Sequence, residues 1–396
     1  MCLQEGTCKP MNTRIITTEQ ELIAVKDDWD NLVRSNPATD MPFFSWEWFY
    51  RSWIHFGKPE GQELFVVAVY EENRLIGILP FVRGVQKLQG IACRILCFCN
   101  VGMMPRNTIY TDFNQDQETI FYAVWNHLFE NRPIWDMLDI ANVPEASPFH
   151  RFLLQGQHCT KYALIQNQGF IAPFIELTGT MEDYLNSLSK GTRKDIRKYI
   201  KHFNESGVSR SVRFFEKPVE IAEGLQHLET VHNNSWKGGY VNQHYPLFYQ
   251  EITPILAEKG EVKIAAVFLD EVPIGGAYML CKNGTYYGCI RDYDQQYRKY
   301  APGILLLHYQ LEHLLQEGGK IFDFCGTTYD HKEKFGTGHQ NHSTFQIFHS
   351  GLKSRFIYWA KTVFLPFYRK MFRKPPPDDF IVCRNNFTPK MVDTGA

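Results

Sequence analysis

The sequence has no excess of charge, no paired cysteine motif and no long apolar run, and each absence excludes a class of protein. Its 42 Lys and Arg residues against 43 Asp and Glu residues give a formal net charge of −1. Because general nucleic-acid binders carry a basic excess, we expect no role in binding DNA. None of the ten cysteines forms a CxxC pair, so neither a zinc ribbon nor another metal site is predicted.

The apolar residues are spread along the chain rather than concentrated. No uninterrupted run of about 18 apolar residues occurs, and the residues after Met1 form no apolar stretch. This pattern predicts neither a membrane span nor a secretory signal, so the cytoplasm is the expected location. Aromatic residues are abundant at 15%, which indicates large buried side chains or a cleft lined with rings.

A strand-turn-strand unit occurs twice, about half a chain length apart. Ala68-Val-Tyr corresponds to Ala266-Val-Phe, and Ile76-Gly77 to Ile274-Gly275, with a constant offset of 198 residues. A chain of 396 residues is long enough for two hydrophobic cores. We therefore predict an α/β (mixed α+β) fold of two related halves, each a central mixed sheet flanked by helices, with a ligand cleft between them.

The predicted elements and turns place the domain boundaries. We expect a short disordered segment over 1–14, an N-terminal domain over 15–165 and a C-terminal domain over 170–350. An amphipathic extension and tail follow over 351–396, where rings precede a basic run. Such a segment either packs on the second core or lies in a membrane interface, which would place the protein at the inner membrane face.

Motifs spread over most of residues 15–350 resemble one group of enzymes. In order, they are Phe43-Phe-Ser-Trp-Glu-Trp, Arg74-Leu-Ile-Gly, Ser187-Leu-Ser-Lys-Gly-Thr-Arg, Gly284-Thr-Tyr-Tyr-Gly, Tyr300-Ala-Pro-Gly, Gly319-Lys-Ile-Phe-Asp-Phe-Cys-Gly and His331-Lys-Glu-Lys-Phe-Gly. Together they resemble the GNAT acyltransferases associated with bacterial cellulose and exopolysaccharide biosynthesis, which are similar to the tandem-GNAT Fem-type peptidyltransferases. The resemblance implies two tandem GNAT-like domains and acyl transfer to an amine or hydroxyl, without a metal or a covalent enzyme intermediate.

Three residues late in the chain are candidates for catalysis. Asp323 ends an apolar strand, and a carboxylate among apolar neighbours is either functional or hydrogen-bonded in a turn. The resemblance places Asp323 at the active cleft as general base or substrate anchor. Lys332 matches the family's lysine after that strand and would bind an anionic donor or acceptor, unless it is an ordinary surface lysine. Tyr329 lies between them and would protonate the leaving group.

The donor site is predicted at the start of a helix. GNAT enzymes bind the pyrophosphate of CoA with a glycine-rich turn, where free N–H groups and the helix dipole meet the anion. Here the turn contains Arg298 and Lys299, and Gly303 is what remains of the glycine pattern. The expected co-substrate is an acyl-CoA, with no permanently bound cofactor; a plain helix start is the alternative.

Basic residues indicate where an anionic acceptor would bind. Arg193 and Arg197 are four residues apart and share a helix face, which suits the phosphates of a nucleotide sugar, a lipid-linked precursor or tRNA, or is simply solvated. Arg291 closes the predicted meander and either orders the cleft or forms a surface ion pair.

The sequence therefore predicts an acyltransferase whose second half is catalytic and whose first half forms the other wall of the cleft. The expected reaction moves an acyl group from acyl-CoA to an envelope polysaccharide precursor or a related small acceptor. Two alternatives stay open. One is Fem-type aminoacyl transfer from charged tRNA, and the other is a catalytically silent GNAT-like subunit that binds a partner.

Overall fold

The computed structural model describes residues 11–88, 90–99, 106–130, 134–155, 162–205, 209–236, 244–326 and 330–364. The chain divides into two compact units. Of the described residues, unit 1 contains those from 11 to 169 and from 342 to 364, and unit 2 contains those from 170 to 341. Residues 342–364, expected at the end of the C-terminal domain and in the extension, therefore group with unit 1. Residues 11–14, expected in the disordered segment, belong to a strand.

Both units contain strands and helices. The strands are β1 (Met11–Ile16), β2 (Glu63–Glu71), β3 (Arg74–Leu88), β4 (Ile91–Phe98), β5 (Tyr110–Thr111), β6 (Met137–Pro144), β7 (Tyr162–Glu176), β8 (Arg210–Phe215), β9 (Val262–Leu269), β10 (Val272–Lys282), β11 (Thr285–Tyr293), β12 (Ile321–Asp323) and β13 (Gly338–His349). The helices are α1 (Glu19–Ala24), α2 (Lys26–Ser35), α3 (Trp46–Ser52), α4 (Gln117–Glu130), α5 (Pro148–Gln155), α6 (Met181–Ser187), α7 (Lys190–Asn204), α8 (Pro218–Asn233), α9 (His244–Glu258), α10 (Pro302–Gln316), α11 (Asp330–Glu333) and α12 (Leu352–Trp359). None of the described helices is long and apolar enough to cross a membrane.

Unit 1 has a mixed sheet in the order β1-β2-β3-β4-β6-β13, with β5 paired to β3. Neighbouring strands are antiparallel except β4 and β6, which are parallel. The capping-box residues at Thr18 and the helical spacing of apolar residues predict one helix over 18–35; the segment is helical but divides at Val25 into α1 and α2. Its predicted capping box forms, because Thr18 and Glu21 bond each other's backbone N–H groups.

Unit 2 has a mixed sheet in the order β7-β12-β11-β10-β9-β8, to which β7 contributes its last residues. The predicted meander of β9, β10 and β11 is confirmed. Gly275 and Gly276 are adjacent and so face opposite sides of the sheet: the first lies against Leu306 of α10, the second against Leu228 of α8. Helices therefore cover both faces, and the predicted fold class of mixed sheets flanked by helices is confirmed.

The repeated hairpin has a β-bulge at the same position in both units. In β2–β3 the register shifts so that Ile76 is the extra residue, and in β9–β10 the extra residue is Ile274. The two isoleucines are 198 residues apart, the offset seen in the sequence. Each bulged carbonyl accepts a 3.0 Å hydrogen bond from an aspartate N–H, that of Asp112 in unit 1 and that of Asp294 in unit 2.

The glycine after each bulge allows a helix to approach the sheet closely. A Cβ atom on Gly77 would stand 2.5 Å from Cγ2 of Ile120 in α4. A Cβ atom on Gly275 would stand 3.0 Å from Cβ of Pro302 and 3.1 Å from Cδ1 of Leu306 in α10. Both helices therefore cross their hairpin where there is no side chain, and any larger residue would push them outward.

Gly77→Ala should destabilise unit 1 by about 1–3 kcal/mol, because the added methyl overlaps Ile120 in a close-packed core. Urea unfolding followed by circular dichroism measures the change. The control is Gly84→Ala in the same strand, where a Cβ atom meets only Cγ of Gln62 at 3.6 Å. Equal stability losses for the two variants would contradict this account of the helix contact.

Each unit also has an acid at the same position of its parallel strand pair. Asp139 is opposite Cys97 at the third position where β4 and β6 pair, and Asp323 is opposite Tyr287 at the third position where β11 and β12 pair. Burial raises the pKa of Asp139 to about 7, opposed by the charge of Lys361 and a hydrogen bond from Gln346. The Gln346 amide is 3.5 Å from Asp139 and accepts a 2.7 Å bond from Lys361.

Asp139→Asn should flatten the pH dependence of stability. Because the folded pKa of Asp139 lies above its unfolded value, its contribution is fully present below about pH 4 and is lost as pH rises through about 7. The variant should therefore gain stability relative to wild type between pH 4 and pH 8, by on the order of 1–4 kcal/mol. Urea unfolding at both pH values tests this, and a difference that stays constant would refute it.

Candidate active site

The site lies in unit 2, where β11 and β12 part. The two strands pair in parallel from Thr285 to Tyr287 and from Ile321 to Asp323. Beyond this point β11 continues to Tyr293 on β10, while the chain after Asp323 bonds to Pro173 through the N–H of Phe324. Backbone groups and side chains at the carboxyl end of β12 thus face a gap in the sheet, the usual place for ligands in parallel α/β sheets.

Asp323 and Lys332 meet at the turn after β12. Asp323 is 5% exposed and accepts a 2.8 Å bond from the N–H of Cys325. The Lys332 ammonium donates to the carbonyls of Phe324 and Cys325, at 3.2 and 2.9 Å. Cys325 has a φ of 46° and Gly326 one of 81°. Two charged side chains therefore hold a left-handed turn, a conformation that non-glycine residues adopt at some energetic cost.

Arg291 is placed beside the same strand end. Its guanidinium lies 5.5 Å from the ring centre of Phe322 and 5.7 Å from that of Phe324, and it donates a 3.2 Å bond to the amide oxygen of Gln310. Burial lowers the pKa of Arg291 to about 10, opposed by the hydroxyl of Tyr184. A guanidinium in such poorly hydrated surroundings favours an anionic partner. The predicted substrate residue thus borders the predicted catalytic residues.

The start of α10 has the features of an anion site. Ala301, in the left-handed region with a φ of 51°, occupies the N-cap position, where it makes no side-chain cap, and Pro302 follows. A Cβ atom on Gly303 would meet only Tyr293, at 4.0 Å, so the backbone there is open to close approach. Arg298 and Lys299 are exposed in the preceding 3-10 turn. The three predicted donor residues therefore lie together at an uncapped helix end.

The matching helix of unit 1 begins differently. Asp116 stands just before α4, where its carboxylate accepts bonds from the N–H of Thr119, at 3.2 Å, and from its hydroxyl, at 2.5 Å. Those bonds lower the pKa of Asp116. An ionised side chain thus occupies the position that an anionic ligand would take, and of these two helix starts only that of α10 suits a phosphate.

Arg193 and Arg197 have other partners. Arg193 bonds to Asn186 at 2.8 Å and Arg197 pairs with Glu182 at 2.5 Å, so both tie α7 to α6. Within the described part of the chain, these contacts hold them to α6 rather than to the turn after β12. At its other end α7 reaches the donor residues, since His202 stacks on Tyr300 with ring centres 5.4 Å apart.

Tyr329, Gln310 and the start of α10 differ in how far the sequence predicted them. Tyr329 lies outside the described residues, so its assignment rests on the sequence. Gln310, which is 1% exposed and accepts a hydrogen bond from Arg291, was not predicted from the sequence. The lack of a side-chain cap on α10 was not predicted either. The sequence does indicate the missing cap, because Ala301 stands before Pro302 where Ser, Thr, Asp or Asn is usual at the start of a helix.

A second polar cluster lies at the other side of the unit 2 sheet. Lys263 contacts Glu216 at 2.7 Å and Glu317 at 3.0 Å, and His313 is 2.7 Å from Glu216. The acids and His313 are close enough to hold a metal ion, but Lys263 already supplies a cation between them. A cavity of about 400 Å³ beside His313 is lined by α7, α10 and the edge strand β8. We interpret this polar cluster and the cavity as structural features and not as a binding site.

Comparison with protein families identifies the segment that contains the site. A family described as an acetyltransferase (GNAT) domain matches residues 190–333. All nine residues proposed from the sequence for catalysis, donor binding and acceptor binding fall inside this range. No curated protein matches the chain.

Solved structures extend the fold similarity to both units. A crystal structure of FemX matches with a TM-score of 0.57 and 12% identity, covering 89% of this chain and 99% of the other. The C-terminal domain of a protein classed as a lysylphosphatidylglycerol synthetase from Agrobacterium fabrum gives 0.52 and 11%, covering 86% and 96%. A Bacteroides thetaiotaomicron protein of unknown function gives 0.51 and 8%, covering 85% and 100%. At these identities the similarity is one of fold.

Lys332→Met should loosen the turn after β12, because two carbonyls lose a charged donor while the apolar stem is kept. We expect amide exchange of residues 324–326 to accelerate by about tenfold or more, for a loss of about 1.5–3 kcal/mol. Hydrogen exchange with mass spectrometry measures this. The control is Lys334→Met, an exposed residue. Unchanged exchange in Lys332→Met would show that the ammonium does not hold the turn.

Proposed function

Because residues 190–333 carry an acetyltransferase (GNAT) domain, we propose that the chain is an acyltransferase whose reaction takes place in unit 2. The donor is an acyl-CoA, bound as a co-substrate with its phosphates at the start of α10. The acceptor is an amine or hydroxyl of an envelope polysaccharide precursor or a related small molecule. The observation that carries the proposal is the uncapped start of α10 next to the gap between β11 and β12.

The residues at that helix start fit a phosphate group. The dipole of a helix favours an anion at its start, and the open space at Gly303 lets the anion approach the backbone. Arg298 and Lys299 add two exposed cations in the preceding turn. From there the acyl end of the donor would reach the gap in the sheet, where Asp323 and Arg291 lie.

Acyl transfer from a thioester requires few protein groups. The acceptor nitrogen or oxygen attacks the carbonyl carbon, a C–N or C–O bond forms, and the C–S bond breaks to release CoA. We assign Asp323 as the base that takes the proton from the acceptor, since its carboxylate stands at the strand end. Tyr329 is assigned, from the sequence, to protonate the leaving thiolate.

Lys332 and Arg291 take supporting roles in this proposal. The Lys332 ammonium donates hydrogen bonds to the carbonyls of Phe324 and Cys325. It therefore positions the turn that carries Asp323. Arg291 is held by Gln310 and two rings, and its partly buried charge is suited to an anionic group of the acceptor.

Aminoacyl transfer from charged tRNA is the second candidate, and the surface of α7 favours it. Lys194, Lys198 and Lys201 are exposed along this helix, whose end contacts the donor turn through His202 and Tyr300. Several exposed lysines on one helix would suit a nucleic-acid backbone. A silent binding subunit is the third candidate, and loss of function upon changing Asp323 would exclude it.

Free CoA and acetyl-CoA should bind the wild-type protein, as measured by isothermal titration calorimetry. Arg298→Ala combined with Lys299→Ala should weaken binding by about tenfold, because two charge contacts to phosphate are lost. Lys259→Ala, which removes an exposed charge elsewhere in unit 2, should bind normally. Binding of aminoacyl-tRNA but of no CoA compound would replace the first candidate with the second.

Asp323→Asn should lower turnover by about 10²–10⁴-fold, the usual contribution of a general base. Release of thiol from acetyl-CoA in the presence of amino-sugar acceptors measures the rate. Asp139→Asn is the matched control, since it changes the equivalent acid of unit 1 and should leave the rate unchanged. Full activity of Asp323→Asn would remove this residue from the mechanism.

A further inference from the structure

An apolar stripe runs along α12 and the π-helical turn Ala360–Phe364 that continues it. The stripe consists of Leu352, Phe356, Trp359, Val363 and Phe364, with exposed fractions of 86, 50, 47, 51 and 47%. The first four recur at intervals of four, three and four residues and so lie on one face of the helix. Their rings are contiguous: Phe356 and Trp359 are 5.9 Å apart, and Trp359 and Phe364 are 6.0 Å apart.

The opposite face of α12 is fixed to unit 1. Ser354 donates a 2.6 Å bond to the carbonyl of Asp136, and Lys353 pairs with the Asp136 carboxylate at 2.7 Å. Ile357 is 1% exposed, and Lys361 bonds to Gln346. Because these contacts set the rotation of the helix, the stripe is held outward. Soluble proteins rarely leave a contiguous apolar patch exposed without a binding function.

The charge of the sequence from residue 352 to residue 374 favours one kind of partner. Residues 352–374 contain seven basic residues and no acidic one, whereas the whole chain has a net charge of −1. The rest of the chain is therefore formally −8. Lys353 and Lys361 face unit 1, but Arg355 is exposed. Four further cations follow in the sequence, Arg369, Lys370, Arg373 and Lys374.

We propose that this face docks unit 1 onto an anionic lipid surface. An apolar helical face with a tryptophan, followed by a basic cluster, matches a segment that lies in the headgroup region without crossing the bilayer. Phe356, Trp359 and Val363 enter the boundary between headgroups and acyl chains, and Arg355 meets lipid phosphates. The proposal concerns a surface of unit 1 and holds whichever acyl donor unit 2 uses.

The test is flotation of the full chain with phosphatidylcholine vesicles, with and without 30% (about one lipid in three) phosphatidylglycerol. We expect binding to the anionic vesicles, weakening as salt rises from about 0.05 to 0.5 M. Phe356→Ser combined with Trp359→Ser should reduce binding by about tenfold or more. Val219→Ser combined with Leu247→Ser, which removes exposed apolar groups from α8 and α9 of unit 2, should bind like wild type.

Thermal unfolding of the stripe variant should match wild type, since both side chains are half exposed. Absence of wild-type binding to anionic vesicles would overturn the proposal, as would equal binding by the stripe variant. A wild-type dimer in light scattering that the stripe variant converts to a monomer would instead assign the stripe to a second copy of the chain. Binding of CoA is measured separately, so failure here leaves the proposed reaction untouched.

Discussion

The close crossing of one helix over a glycine in the repeated hairpin is the contact on which both units depend. It positions α4 on Gly77 and α10 on Gly275, and in each unit the adjacent bulge turns a carbonyl toward an aspartate N–H before that helix. The helix start is thereby fixed relative to the sheet. Where the helix starts decides what its free N–H groups face, so the packing of a glycine in the core determines the chemistry at the surface.

The two units differ mainly at that helix start. In unit 1 the carboxylate of Asp116 caps the helix, and β5 is separated from β4 by residues 99–109. In unit 2 the equivalent strand continues unbroken as β11, the helix has no side-chain cap, and the backbone at Gly303 is open to close approach. The two units thus share one arrangement of strands and helices. The start of α4 is capped by a carboxylate, whereas the uncapped start of α10 is a potential anion site.

Local patterns were predictable from the sequence, and distant pairings were not. The hairpins, the caps at Thr18 and Ser45, and a helix over 304–316, observed as Pro302–Gln316, follow from periodicity and capping residues. Helix α9 was missed because Pro254 interrupts its pattern. Strand β13 was missed because its polar residues pair with β6, about 200 positions away. The match of Asp139 with Asp323 was hidden because the offset falls from 198 to 184 after the hairpins.

Two hairpins with the same bulge in one chain also pose a problem during folding. Strand β2 could pair with β10, or β9 with β3, in a register that satisfies the backbone equally well, and such exchange is a characteristic failure of duplicated proteins. The side chains at the glycines oppose it. Ile120 fills the space above Gly77, whereas Pro302 and Leu306 fill the space above Gly275. A mispaired hairpin would therefore pack against helix side chains that do not fit it. Divergence of those contacts keeps the two copies from exchanging strands.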